Sequence, residues 1–381
     1  MIKEIYWGYR NKICNKLFGV VHLPAQGKKK GDVLISYIVE PFTLAPWEQL
    51  SNYHTNNWEC REIARLFSQK GYACDIVSSR NKNFKPKKSY VVCIDTDDNL
   101  EKFTKYLPRN CQKVFHALMS HWEDYNAAEK RRLNDLEKRR GIRLSPHRQL
   151  EPSKNAEYAD FITAFGNKTI LDTFNKCGKS VYYIPISVVK QFDFPEQKDF
   201  GEARKTYAWM GGGGAVLKGL DLTLEAFRQM PEFDLHVCGP VSAEKDFVQA
   251  FKEELEKTPN IHVRGRMEVT SQEYTDILNK CAAVVYPTAA EGSSGTIVLA
   301  MHAGVIPIIS PETGIWERSG YIPLINPTVQ SIIKTVRDFS KMPENEIRAL
   351  SKKIWDYARE QNTRETYSAA YRNIIENVLK L

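Results

Sequence analysis

Along the chain, short apolar runs rich in β-branched residues alternate with longer stretches whose apolar residues recur three and four positions apart. That alternation predicts strands and amphipathic helices in turn, the pattern of a doubly wound parallel sheet in an α/β protein. In the first half, residues 32–39 read as a buried strand. Residues 57–69 read as a helix with Ile63, Leu66 and Phe67 on one face, and Gly71 stops it before a strand at 74–77. Further strands are predicted at 90–94, 113–117, 161–164 and 181–184. The second half restarts the pattern, with strands at 206–210, 234–238, 260–263, 282–286 and 304–309 and helices at 221–229, 243–256 and 271–279. The polar stretch 191–204 reads as a linker. The chain thus divides into a first Rossmann-like domain, residues 1–195, and a second, residues 196–364. A terminal helix, residues 365–381, is expected to fold back on the first domain. Two such domains face each other across a cleft outside the carboxyl ends of their strands, so chemistry is expected in loops that follow strands.

Composition narrows the class without naming a substrate. The chain has 381 residues, 42% hydrophobic and 26% charged, enough apolar surface for two packed domains. No run of about 18 apolar residues is present, so no spanning helix is expected. The first residues carry Lys3, Arg10, Lys12 and Lys16 and lack the apolar centre of a secretory signal. Eight cysteines are scattered with no Cys-x-x-Cys pair, which predicts buried thiols in a reducing compartment and a cytoplasmic location. The formal net charge of +8 favours anionic partners.

Two loops carry candidate chemistry. The first is Gly211, Gly212, Gly213 and Gly214, directly after a predicted strand, followed by Lys218 and Gly219 before a helix. Four glycines let the backbone approach a ligand and aim N–H groups at it, and a lysine at the helix start suits a diphosphate. A flexible turn with a solvated lysine is the plainer alternative. The second runs from Tyr286 through Glu291, Gly292, Ser293, Ser294, Gly295 and Thr296 into an apolar helix ended by Gly304. Its hydroxyls and free helix-start N–H groups suit an anion, and Glu291 suits sugar hydroxyls. A capped core helix is the alternative here.

Together these segments resemble the donor half of glycosyltransferase family 4. That family shows Gly-Arg-x4-Lys-Gly after the first strand of its second domain and Glu-x7-Glu opening a late helix. Lys218-Gly219 and the following Leu222 to Phe227 match the first; Glu291-Gly292, Ala300-Met301 and Gly304 match the second. His54-Thr55-Asn56-Asn57-Trp58-Glu59 and the region from Arg139-Arg140-Gly141 to Arg148 resemble a polysaccharide-associated bacterial branch. The resemblance implies the GT-B architecture and transfer of a sugar from a nucleotide-sugar donor to a glycan or lipid-linked acceptor, in cell-surface polysaccharide or glycolipid assembly. It implies a retaining reaction without a metal or other cofactor. Lys218 would then stabilise the leaving diphosphate and Glu291 position the sugar, with the glycine loop and residues 292–296 holding the donor. The first domain would bring the acceptor, through His54, Asn56 and Asn57. A first-domain histidine is expected near the reacting sugar, and His116, His121 and His54 are the candidates.

Two departures stand out. Gly213 occupies the place of the family's arginine, and Leu299 that of its second glutamate. Leucine accepts no hydrogen bond, which leaves a changed donor, a remodelled site or a silent one; the retained Lys218 and Glu291 favour remodelling. A catalytically silent GT-B subunit that scaffolds a partner enzyme, and a nucleotide-sugar epimerase, are the rival readings.

Other signals are weaker. Asp95-Thr96-Asp97-Asp98 follows a predicted strand and has metal-binding spacing, but Asp97 or Asp98 also suits a helix N-cap. Residues 129–148 hold eight Lys or Arg against three acids, which reads as a solvated face or, between Lys130 and Arg148, as a surface for anionic lipid. The stretch 2–21 mixes aromatics and cations and suits either a membrane surface or packing on the first domain. No nucleic-acid motif accompanies the charge, and a GxGxxG dinucleotide fingerprint is missing.

Overall fold

The computed structural model describes residues 2–45, 47–52 and 54–381, and for residues 2–9 the backbone alone. Two sheets organise it. The first runs β1 (Val20–Leu23), β3 (Tyr72–Ser78), β2 (Gly31–Tyr37), β4 (Tyr90–Asp95), β5 (Gln112–Ala117), β6 (Phe161–Ala164) and β7 (Val181–Tyr183), in that order across the sheet. Only β1 is antiparallel, pairing with β3. The second runs β10 (Ile261–Gly265), β9 (Asp234–Cys238), β8 (Thr206–Met210), β11 (Ala283–Tyr286), β12 (Ile306–Ile309) and β13 (Ile322–Pro323), with every pair parallel. The central strands are apolar on both faces because helices cover both sides; β11 and β12 are buried at every residue.

The elements mostly follow the periodicity, with instructive exceptions. Residues 243–256, expected as one helix, split into a 3-10 turn Val241–Ala243 and helices Lys245–Ala250 and Lys252–Glu256. The break falls at Phe251, whose ring stacks on Phe247 at 4.5 Å. The helix at 271–279 forms as Gln272–Lys280, capped by Ser271, which accepts from the Tyr274 amide. Neither Asp97 nor Asp98 caps the next helix. It is the short Leu100–Thr104, and buried Asp95 accepts from the Asn99 amide at 2.8 Å and from Asn155 Nδ2 at 2.6 Å. Asp95 is therefore a hydrogen-bond hub, and Asp97 pairs with Lys82 at 3.0 Å.

The chain returns to the first domain at its end. Thr363 caps Arg364–Asn373 through a reciprocal box with Thr366. That helix lies on Asn56–Gln69, with Ser368 Oγ donating to Glu62 at 2.5 Å and the Trp58 and Tyr367 rings 5.7 Å apart. The domains also meet beneath their facing strand ends. Ser120 N–H donates to the Glu291 carbonyl at 3.0 Å, and Met119 forms an antiparallel bridge to Gly292. Asn167 Nδ2 reaches the carbonyls of Pro311 and Ile315, each at 2.9 Å.

Candidate active site

β8 ends at Met210 and β11 at Tyr286, and the parallel pairing of β8 with β11 puts the loops after both at one end of the second sheet. The glycine loop leads to Lys218, whose carbonyl accepts from buried Trp209 Nε1 at 3.1 Å. Lys218 Nζ forms a buried ion pair with Glu291 Oε1, and the same oxygen accepts from Tyr286 Oη at 2.7 Å. Burial lowers the Lys218 pKa, opposed by the Glu291 charge. The two residues expected to carry the chemistry thus share one site, where each neutralises the other.

The glycine loop is not wholly open to a ligand. Glu244 turns its buried carboxylate into it and accepts from Gly214 N–H at 2.5 Å and from Ala215 N–H at 3.0 and 3.1 Å. Gly211 N–H continues the strand to the Cys238 carbonyl at 3.1 Å. The expectation of four glycine amides on a diphosphate is narrowed by these bonds to Gly212, which is exposed, and Gly213, which is half-buried.

On the second loop, Gly292 is where the domains close. A β-carbon there would overlap the Leu118 carbonyl, and the Gly292 carbonyl is approached so closely by Gly166 and Gly314 that neither tolerates a side chain. Ser294 and Thr296 hydroxyls lie 3.2 Å apart, and Thr296 Oγ1 donates to the Met210 carbonyl at 3.1 Å, tying this loop to the glycine loop. Ser293 and Gly295 are half-buried beside them. The helix they open, Gly295–His302, ends at Gly304 with φ +68°. Leu299 is buried in the core on that helix.

The three histidines separate. His116 is fully buried, 2.9 Å from Thr163 Oγ1 and ringed by Phe165 and Tyr371. Burial pulls its pKa down to about 3. No substrate reaches it, which corrects the expectation of a catalytic role: both faces of the sheet are covered, so a strand-end position confers no exposure. His121 caps the helix Trp122–Arg140, accepting from the Glu123 amide, and its ring packs on Phe174. That is a structural post one residue from Ser120. His54 is exposed to the cleft, with Glu291, Lys218, Arg148 and Arg266 as its electrostatic neighbours. Its pKa is lowered, first by burial and then by Arg148, against the pull of Glu291. Asn56 opens the helix beside it, and Asn57 Nδ2 holds the Ser51 carbonyl at 3.1 Å.

Residues that the sequence did not single out complete the site. Tyr286 orients Glu291, Glu244 pins the glycine loop, and fully buried Tyr125 lies beside Arg148 and Glu291. Arg132 is buried and donates to the Pro287 carbonyl. Among the described residues, no group of three or more His, Cys, Asp or Glu is arranged to hold a metal ion. A cavity of about 1080 Å³ lies at the linker instead, lined by residues such as Phe194, Lys198, His236 and His262, and shares no residue with this site.

Residues 204–340 match the glycosyl transferases group 1 family. That span contains both loops, Lys218 and Glu291. Among solved structures, the sucrose-phosphate synthase of Thermosynechococcus elongatus superposes with a TM-score of 0.63 at 11% identity, covering 92% of this chain and 100% of that one. Anabaena HepE in complex with UDP and glucose gives 0.55 at 11% identity, again 92% and 100%. A mutant of S. aureus TarM in complex with Fondaparinux, alpha-GlcNAc-glycerol and UDP gives 0.55 at 14% identity, over 75% of this chain; the chain spans 55% of the TarM length. These likenesses establish the GT-B fold, and the group 1 match over residues 204–340 supports a glycosyltransferase. No curated protein sequence matches the chain. Among the described residues, no helix is long and apolar enough to cross a membrane.

Proposed function

We propose that the protein transfers a sugar from a nucleotide-sugar donor, held on the second domain, to a glycan or lipid-linked acceptor entering from the first, in cell-surface polysaccharide or glycolipid assembly. The observation that carries this reading is the buried Lys218–Glu291 pair at the joined ends of β8 and β11. A buried pair is a weak source of stability, because two desolvated charges repay little. Its retention suits a ligand that separates the charges: the ammonium turns to the leaving diphosphate and the carboxylate to sugar hydroxyls. In this reading no metal is needed, since Lys218 and the amides of Gly212 and Gly213 face the diphosphate. His54 sits on the opposite wall, where an acceptor hydroxyl would approach, and reaction with retention follows from analogy of fold. Uridine nucleotides are the first donors to test, because two of the structural neighbours carry UDP.

The test is a thermal-shift screen of UDP-, GDP- and dTDP-sugars followed by a transfer assay. We expect one donor to raise the melting temperature and Lys218→Ala to abolish transfer. Full turnover by that variant would remove the leaving-group role, and indifference to every donor would remove the reading. Glu244 already on the loop amides, with Gly213 in place of an arginine and Leu299 buried in the core, favours a second reading as a silent scaffolding subunit. Donor binding without any turnover would select it. An anionic lipid surface, if the acceptor requires one, would meet Lys130, Arg131, Lys138 and Arg143, which remain exposed.

A further inference from the structure

We infer that Arg148, a first-domain residue, is the guanidinium that grips the donor diphosphate, and that Glu129 is the residue that positions it. The inference rests on the donor reading above and adds the anion-binding group that Gly213 does not supply.

The segment after the helix Trp122–Arg140 has no regular structure from Gly141 to Lys154, yet it is held at many points. Glu129, 2% exposed, accepts from the backbone N–H groups of His147 and Arg148, each at 2.9 Å, and from Gln149 Nε2 at 2.6 Å. Asn126 pairs with both the N–H and the carbonyl of Leu150, at 2.8 Å each. On its other side the segment is tied to the second domain, where Asp246 accepts from Ser145 N–H at 3.2 Å and lies 2.7 Å from His147 Nε2. A loop held this firmly delivers one long side chain to a fixed place.

That place is the donor cleft. The aliphatic stem of Arg148 lies against Gly214, so closely that any β-carbon at Gly214 would collide with it. Its charge faces Glu291, Tyr286 and Tyr125, and it is felt at both His54 and Lys218. Arg148 itself is exposed to the cleft, so a ligand can reach it. Among the described residues no carboxylate forms an ion pair with Arg148, whereas Arg139 and Arg140 nearby are each spent on carboxylates. A planar cation beside the exposed part of a glycine loop, across from a lysine, matches the two oxygens of a phosphate group. Glu244 makes such a cation necessary, since its carboxylate already lies on the loop and would repel a diphosphate that lacked a compensating charge.

Calorimetry on the full chain tests this with UDP, GDP, ADP and dTDP and with the corresponding nucleosides, on wild type, Arg148→Ala, Arg148→Lys, Glu129→Gln and the control Arg109→Ala, an exposed arginine outside the cleft loops. Arg148→Ala should weaken the preferred diphosphate roughly ten- to a hundredfold, the worth of charge-assisted hydrogen bonds, with nucleoside affinity within about twofold. Arg148→Lys should fall between, and Arg109→Ala should match wild type. Glu129→Gln should weaken the diphosphate selectively, and its effect should vanish in the Arg148→Ala background, as a merely structural role would not. Wild-type diphosphate affinity in both Arg148 variants overturns the inference and leaves the donor reading standing. A wild type that binds none of the four diphosphates overturns both.

Discussion

Glu59 offers a test of how the domain junction is built. It lies on the helix Asn56–Gln69, fully buried, with Oε1 accepting from Ser187 N–H at 3.0 Å and Ser187 Oγ at 2.8 Å. Ser187 follows β7, where the chain leaves the first sheet. Burial raises the Glu59 pKa from 4.5 to about 7, against the lowering effect of the Ser187 bonds. A carboxyl whose folded pKa lies above its unfolded value favours the protonated folded state. Its best contribution to stability is therefore present below about pH 4.5 and is lost as pH rises toward 7. At about 1.36 kcal/mol per pKa unit, the loss has a ceiling on the order of 3 kcal/mol. Glu59→Gln keeps an oxygen for Ser187 and removes the titration. Urea unfolding of both proteins at pH 5, 6, 7 and 8 should give a stability difference that moves in favour of Glu59→Gln as pH rises, by on the order of 1 to 3 kcal/mol over that range. A difference that stays flat with pH refutes the buried, elevated carboxyl, and one that moves toward wild type refutes its sign.

Three further outcomes are expected. His54→Ala should cut transfer by about 10²- to 10⁴-fold with donor affinity retained, and the acid limb of wild-type kcat/KM should lie below pH 6.5, because the lowered pKa keeps the imidazole neutral; an acid limb above that value contradicts the assignment. Gly292→Ala should destabilise by roughly 1–3 kcal/mol and abolish transfer, since its β-carbon overlaps the Leu118 carbonyl; a wild-type urea midpoint would show that the domains do not close there. His116→Ala should cost roughly 3 kcal/mol of stability while the folded protein binds nucleotide with unchanged affinity; a selective loss of binding would return His116 to the site.

Much of the fold is legible because strand and helix periods differ, and the loops of Lys218 and Glu291 are legible because glycines and charges follow strands directly. The helix Ile2–Phe18 escapes because its apolar positions follow no one-sided period, and β1 because it is only four residues long. The break at Phe251 escapes because Phe247, Phe251 and Leu255 keep a perfect four-residue spacing while the backbone between them departs from helix. From the sequence His116 is as good a candidate as His121 or His54; the terminal helix helps bury it, with Tyr371 arriving from 255 positions later and leaving no local signal. In the sequence Arg148 is one cation among eight and the end of a segment that resembles a bacterial branch of the family, with nothing to show where it points. Its direction is set by Glu129, nineteen residues away, and by a missing side chain at Gly214.

The cations of residues 129–148 therefore change meaning once their partners are known. Arg139 binds Asp221 at 2.6 Å and Glu225 at 3.0 Å, Arg140 binds Glu254 at 3.0 Å while its guanidinium covers the Phe251 ring, and Arg132 reaches the Pro287 carbonyl. Exposed pairs of this kind are worth at most about 1 kcal/mol each. Here, however, the side chains of Asp221 and Glu254 are only 1% exposed, so each is a desolvated carboxylate that needs its cation. Burial raises the Asp221 pKa, and Arg132 and Arg139 are the groups that oppose it. Removing Arg139 takes from buried Asp221 its one ion-pair partner among the described residues, which costs more than losing a surface contact. The same arginines are thus committed to fixing the two domains against each other, and a lipid headgroup would have to displace buried acids to claim them. The docking they enforce is what carries Arg148 over Gly214: the charge that looked like a surface for an external anion assembles the cleft in which a substrate anion would bind.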